Sequence, residues 1–206
     1  MTDDGDPGPT AHIGDTGRIF LGTHGEVSKT DLRVAAYTET DAANAAIGVA
    51  TAAASLSRDV ATMLLSVQND LLDLVTDLGV STYGTPVEVT IVPAYVERLD
   101  RAIEHFSEQA GDLGGMVLPG GTLGAALLYQ ARAAVRRAEL AVWRAVEAYP
   151  DVVNREVGRY LNRLSTLLFV VARGVNFELG DVQWVPGSST QAVAPAPDEE
   201  DGATAG

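Results

Sequence analysis

Arg132, Arg136 and Glu139 fall in the run ARAAVRRAE at positions i, i+4 and i+7, a spacing that puts all three on one face of a helix. Two guanidinium groups and a carboxylate one turn on, set among alanines and leucines, can hold a polyphosphate while the carboxylate steadies a guanidinium or a bound cation. The same spacing also builds a surface salt-bridge ladder, and the residues alone leave both readings open. Arg137 lies about a hundred degrees round the helix, towards solvent or a neighbouring subunit. A second polar pair, Asn162 and Arg163, interrupts the apolar run RYLNRLSTLLFVVAR. Polar groups in a buried stripe need partners, so Asn162 reads first as a satisfied core amide and second as a ligand contact.

Near the N-terminus, GDTGRIFLG followed by GEVSK is rich in glycine but lacks the spacing of a Walker loop. Lys29 is the only lysine in the chain, so its place directly after these glycines draws attention to phosphate binding. His12, His24 and His105 do not form a metal-ligand spacing, and no structural zinc is expected. Ser28, Ser66 and Ser165 have no nucleophile elbow around them, which leaves hydrolase chemistry unsupported.

The elements that must position these residues read as helices. With 206 residues, 46% of them hydrophobic, the chain can bury one substantial core. A formal net charge of -14 argues against nucleic acid and anionic membrane surfaces as partners. The absence of cysteine excludes disulfides and thiolate chemistry. No apolar run approaches the ~18–20 residues of a membrane span, and MTDDGDPGPT is unlike a signal peptide. A cytoplasmic location is expected.

Apolar periodicity predicts five helices: 31–56 capped by Asp31, 59–78, one starting near Pro93, 122–148, and 153–175. In the second, Val60, Leu64, Val67, Leu71, Leu74 and Leu78 form one stripe; in the third, Tyr95, Leu99, Ile103 and Phe106 form the buried side. The run Val87 to Val92 reads as strand-like, and GDLGGMVLPGG as the loop before the fourth helix. The expected fold class is all-α, an antiparallel five-helix bundle. One domain, 12–187, is expected between a disordered segment, 1–11, and a disordered acidic tail, 188–206.

Taken together, VSKTDLRVAAY, QNDLLDLVTDL, VLPGG, ARAAVRRAE, YLNRLSTLLFVVAR and WVPG, in this order and spacing, resemble the trimeric, PduO-type ATP:cob(I)alamin adenosyltransferases over about 14–187. The resemblance implies transfer of the adenosyl group of ATP to cob(I)alamin, with triphosphate leaving, at sites between subunits of a homotrimer. It implies that Gly14, Asp15, Gly17, Ser28 and Lys29 meet the ATP phosphates and that Arg132 and Arg136 contact nucleotide. Glu139 would order the magnesium and phosphate region. Asp41 would pair with Arg132 across the subunit boundary, Asn44 and Asn162 would lie near the nucleotide, and Met116, Val117 and Phe169 would line the corrinoid side. ATP, Mg2+ and cobalamin are thus the implied ligands, and an adenosylcobalamin-dependent enzyme the implied recipient of product.

The chain also departs from that pattern. The family places a threonine-arginine-threonine run before Gly-Asp, where this chain has Ala11, His12 and Ile13. Arg18 and Ile19 stand where phosphate-facing threonines would be, and Ala42 follows Asp41 in place of an acidic residue. Met116 replaces a phenylalanine ahead of VLPGG. Arg18 is the candidate to compensate for the lost arginine. Besides the enzyme, two readings follow: a catalytically impaired relative that binds cobalamin or another tetrapyrrole as carrier, sensor or regulator, and a scaffold that retains neither site.

Overall fold

The computed structural model describes residues 14–79 and 89–190. Five α-helices dominate them: α1 (Leu32–Ala53), α2 (Arg58–Asp77), α3 (Pro93–Ala110), α4 (Leu123–Ala148) and α5 (Arg155–Val175). Each helix start but one has a side-chain cap: Asp31 accepts from the Arg33 amide, Ser57 from Val60, Thr122 from Ala125 and Asn154 from Glu156. These contacts satisfy backbone donors that have no partner within the helix. The exception, α3, starts on Pro93, which has no amide hydrogen to satisfy.

Contacts along the helices fix their directions. Asp31, Glu39 and Ala54 on α1 and its ends meet Tyr149, Arg137 and Gly124 of α4 in reverse order. Glu139 and Trp143 of α4 likewise meet Asn162 and Gly158 of α5. The bundle is therefore antiparallel, with α4 packed between α1 and α5 and with α3 against α5. Buried Ala131, Ala134, Ala138, Ala141 and Ala145 make α4 slim enough for that central place.

The six-residue stripe of α2 is buried throughout, and each such aliphatic side chain contributes about 1.5–3 kcal/mol on burial. On α3, Leu99 and Phe106 are buried as expected, whereas Tyr95 and Ile103 are only partly covered and Val96 and Ala110 join the core. Tyr95 stays at the margin because its hydroxyl donates to Asp73 at 3.1 Å. A polar seam joins α2, α3 and α5: buried Asp70 accepts from Arg98 and, at 2.6 Å, from Tyr160, while Arg98 also donates to Ser66.

Two expectations need correction, and one element was not expected. Residues 89–92 form no strand: the Ile91 amide donates to the Asp77 carboxylate at 2.8 Å and its carbonyl accepts from Asn154, so side chains take the place of a strand neighbour. Val87 and Glu88, the start of that run, lie outside the described residues. A hairpin absent from the sequence reading, β1 (Arg18–Phe20) paired with β2 (Glu26–Ser28), precedes α1. Ser188–Thr190, expected to start a disordered tail, forms a 3-10 turn; residues 1–13 and 191–206 lie outside the description. No helix among the described residues is long and apolar enough to cross a membrane.

Candidate functional site

The α4 face carries Arg132, Arg136 and Glu139 towards α5, and Glu139 accepts a hydrogen bond from the Asn162 amide at 3.0 Å. Asn162 is exposed. It is a rim residue and not the core amide expected, because α5 turns it outward to meet Glu139 while Arg163 turns away to an ion pair with Asp100 of α3 at 2.6 Å. None of Arg132, Arg136 and Glu139 forms an ion pair with another of the three among the described residues. The three therefore form no ladder among themselves in this structure. Arg137 instead reaches Glu39 of α1 at 3.4 Å, both side chains being largely exposed.

Arg132 sits in a distinct environment. Its guanidinium lies 5.3 Å from the centre of the half-buried Phe169 ring, and its Nε is buried without a hydrogen-bond partner. Burial first, and the like charge of Arg136 second, hold its pKa below the ordinary arginine value. A partly desolvated cation with a free donor is suited to receive an anion. Tyr129 packs on the same ring at 6.4 Å, and burial raises its pKa.

The hairpin region builds the second cluster. Gly14 has φ of 96°, and a Cβ there would come within 2.9 Å of Lys29 Cε and Nζ, so the lysine lies across the bare glycine. The Lys29 amide donates to the Gly17 carbonyl at 2.9 Å. Ser28 shares a 2.8 Å hydrogen bond with Thr30, and Asp15, Ser28 and Lys29 are exposed. Arg18 does not reach for a ligand: it donates to the Glu26 carboxylate at 2.9 Å and the Glu26 carbonyl at 3.2 Å across the hairpin.

Asp31 anchors the hairpin to the bundle. It accepts from Arg33 and, at 3.1 Å, from the Tyr149 hydroxyl just beyond α4. Arg132 and Tyr149 are about 25 Å apart along the helix axis at 1.5 Å per residue, so the hairpin's exit and the arginine face stand at different levels of one chain. Asp41 is exposed on α1 and makes no ion pair among the described residues. Asn44 turns to α2, where it exchanges hydrogen bonds with Gln68 at 3.2 and 3.4 Å and leaves its Oδ1 buried and unpartnered.

On the loop before α4, Met116 and Leu118 are exposed and Val117 is half-buried. This segment pairs with residues 182–184: Leu118 donates to Val182 and Trp184 to Met116, both at 2.8 Å. The buried residues that hold it, Arg173, Asn176 and Asp181, were not singled out from sequence. An arginine embedded in the apolar stretch LLFVVAR was the available signal. A cavity of about 270 Å³ lies elsewhere, between α2, α3 and the end of α5 beside Leu56, Phe106 and Val175, and has no charged side chain in its lining. The charged face beside Phe169 is the better candidate for an anionic substrate. Among the described residues no group of three or more His, Asp or Glu side chains is placed to hold a metal ion.

The family model described as cobalamin adenosyltransferase matches residues 10–175. A corrinoid adenosyltransferase of Mycobacterium tuberculosis is 40% identical over 181 residues, covering 87% of this chain and 93% of its own. One from Bacillus subtilis is 34% identical, over 89% of this chain and 90% of its own. A variant of the PduO-type ATP:corrinoid adenosyltransferase from Lactobacillus reuteri, solved in complex with cobalamin and ATP, superposes with a TM-score of 0.72 at 28% identity, over 84% of this chain and 96% of its own. A match that runs from the glycine turn through the last helix, with relatives similar over nearly their whole length, means that the chain belongs to the cobalamin adenosyltransferase family.

Proposed function

We infer that this protein is an ATP:cob(I)alamin adenosyltransferase working as a homotrimer in the cytoplasm, with ATP and cob(I)alamin as substrates. The observation that carries this reading is the buried, unpartnered Nε of Arg132 over Phe169, two turns from the Glu139–Asn162 pair. In the reaction the electron pair of cobalt(I) attacks the ribose 5′ carbon. A cobalt–carbon bond forms, the carbon–oxygen bond to triphosphate breaks, and triphosphate leaves with that bond's electrons. The chain's part is to align the partners and neutralise the leaving group. Arg132, Arg136 and Lys29 supply the positive charge, while Phe169, Met116 and Val117 offer apolar surface to the corrinoid.

The same groups support a homotrimer. Asp41 is exposed and free of ion pairs among the described residues, Arg132 has an unused donor, and the hairpin and arginine face of one chain stand at different levels of α4. A neighbouring copy would let the hairpin of one chain and the α4 face of the next close on one ATP, with Asp41 paired to Arg132. Glu139 offers one carboxylate, which fits a magnesium ion carried mainly by the triphosphate and its waters. An adenosylcobalamin-dependent enzyme would take the product.

One observation favours a second reading, a catalytically impaired cobalamin binder. Arg18, the candidate replacement for the missing loop arginine, is spent on Glu26. Incubation with magnesium-ATP and chemically reduced cob(I)alamin separates the two. Formation of adenosylcobalamin is expected, and no product at saturating substrates would overturn the enzyme reading. A corrinoid titration followed by absorbance would then decide whether binding survives.

A further inference from the structure

The C-terminal end of α5 holds a set of buried polar contacts that the substrate-facing residues do not use. Asn176, only 1% exposed, satisfies both ends of its amide at once. Its Oδ1 accepts from the Thr122 amide at 2.9 Å and the Thr122 hydroxyl at 3.0 Å, and its Nδ2 donates to the Gly120 carbonyl at 2.8 Å and to Asp181 at 2.9 Å. Thr122 is itself the cap of α4, so one side chain joins the start of α4, the glycine loop and the segment that follows α5. Gly121 has φ of 95°, and a Cβ on it would collide with the Asn176 amide, so the loop comes this close only as glycine.

One turn back on α5, buried Arg173 donates to Asp181 through Nε and to the Asp112 carbonyl at 2.8 Å through Nη2. The Arg173 and Asp181 side chains are 6% and 9% exposed. A buried ion pair adds little net stability against an apolar replacement, but it dictates geometry, because losing either partner leaves an uncompensated charge. What it fixes here is the path of two exposed segments, 112–122 and 177–185. They pair as a short antiparallel ribbon through Leu118 to Val182 and Trp184 to Met116. The ribbon presents Met116, Leu118, Val182, Trp184 and Val185, all about half or more exposed.

We propose that Arg173, Asn176 and Asp181 are positioning residues that hold this ribbon in register as the apolar platform for the corrinoid, so that they govern corrinoid affinity more strongly than ATP affinity. This rests on the adenosyltransferase reading. None of the three offers a group to the substrates; they act through Met116 and Trp184. Asn176 and Asp181 touch the ribbon and its loop and not the Lys29 hairpin, while Arg173 also lies 5.7 Å from the centre of the Phe169 ring that Arg132 faces, so ATP affinity should change less than corrinoid affinity.

Two variants test it on the full chain. Asp181→Ala removes the carboxylate, with Asp181→Asn as the conservative partner. Trp184→Pro removes the amide hydrogen that bonds to Met116 together with the ring, and Trp184→Ala controls for the lost ring; this residue is in the exposed ribbon and outside the core. Corrinoid and ATP affinities are measured separately, by absorbance titration and calorimetry, together with hydrogen exchange of the amides of Leu118 and Trp184. Asp181→Ala is expected to weaken corrinoid binding roughly tenfold or more, as for a lost charge-assisted contact, to weaken ATP binding by clearly less, and to speed exchange at Leu118 and Trp184; Asp181→Asn should recover part of these losses. Trp184→Pro should weaken corrinoid binding beyond Trp184→Ala and speed exchange at Leu118. Equal loss of ATP and corrinoid affinity, or unaltered exchange at Leu118 in both Asp181→Ala and Trp184→Pro, would overturn the proposal. If the wild-type protein binds no corrinoid, the functional reading fails, while the exchange measurements still decide whether these residues hold the ribbon.

Discussion

The arginine face of α4 and the N-terminal hairpin are the two places where the proposed function has this chain meet ATP, and they are built in opposite ways. On α4, the functional side chains stand on a central helix whose buried faces are built largely of alanine and valine, and the one polar partner they use, Asn162, comes from the neighbouring helix. The groups not used by the fold, Arg132 Nε and the Arg136 guanidinium, remain available. In the hairpin, Lys29 is held over Gly14 by backbone geometry, but the other cation, Arg18, is bound twice to Glu26. A site on a packed helix keeps its charges free because the core supplies the rigidity. A hairpin of two three-residue strands must use some of its own side chains to hold its shape.

The sharpest way to break that comparison is at Arg132. Replacing it with alanine removes the partly buried cation and the proposed partner of Asp41 together. A loss of at least about a hundredfold in kcat/KM is expected, of the order of 3 kcal/mol for a charge acting at a partly desolvated site, with a shift from trimer to smaller species by sedimentation. Wild-type mass and wild-type kcat/KM would reject both roles. Lys29→Ala is the matching experiment in the hairpin. A roughly tenfold or larger rise in the KM for ATP, with the KM for cob(I)alamin unchanged, is the outcome for a cation that meets phosphate. If the rise is as large as the loss at Arg132, the two regions contribute equally and the contrast drawn here fails.

Asp31 ties the hairpin to the end of α4 beyond the arginine face, and its titration gives a smaller effect. The hydrogen bond from the Arg33 side chain, ahead of the opposing effect of burial, lowers its pKa from 3.8 to about 2. A carboxylate whose folded pKa is depressed adds stability above its unfolded value, and that stability is lost as pH falls through the folded value. The wild type should therefore exceed Asp31→Asn by about 1–2 kcal/mol near neutrality, allowing for solvent screening. The two should converge between about pH 4 and pH 2 in denaturant titrations. A constant gap over that range would show that the cap acts through geometry alone.

Much of the bundle was legible because its signals are local. Asp31 and Thr122 are capping residue types directly before apolar periodicity, and the α2 stripe repeats at helical spacing with no competing pattern. The reading failed where a backbone group is satisfied from a distance. Residues 89–92 carry strand-like residue types, but Asp77 and Asn154 replace the strand partner. Asn162 looked like a core amide because it interrupts an apolar run, yet the direction in which α5 turns it depends on α4. The residues behind Met116 were invisible for the same reason: Arg173, Asn176 and Asp181 become a unit only when the loop and the end of α5 meet.

The smallest predicted effect tests the hairpin from within. If Arg18 is withheld from ATP by Glu26, then Glu26→Gln should loosen that hold by removing the charge while keeping a hydrogen-bond acceptor at similar size. An exposed ion pair is worth about 0–1 kcal/mol, so the KM for ATP should fall only about two- to threefold, with kcat and the corrinoid KM unchanged. The direction of change carries the information. A higher KM would mean that the Arg18–Glu26 pair shapes the loop that Lys29 needs. An unchanged KM in Glu26→Gln, with an unchanged KM in Arg18→Ala, would place Arg18 outside the nucleotide site and leave Lys29 as the hairpin's working cation.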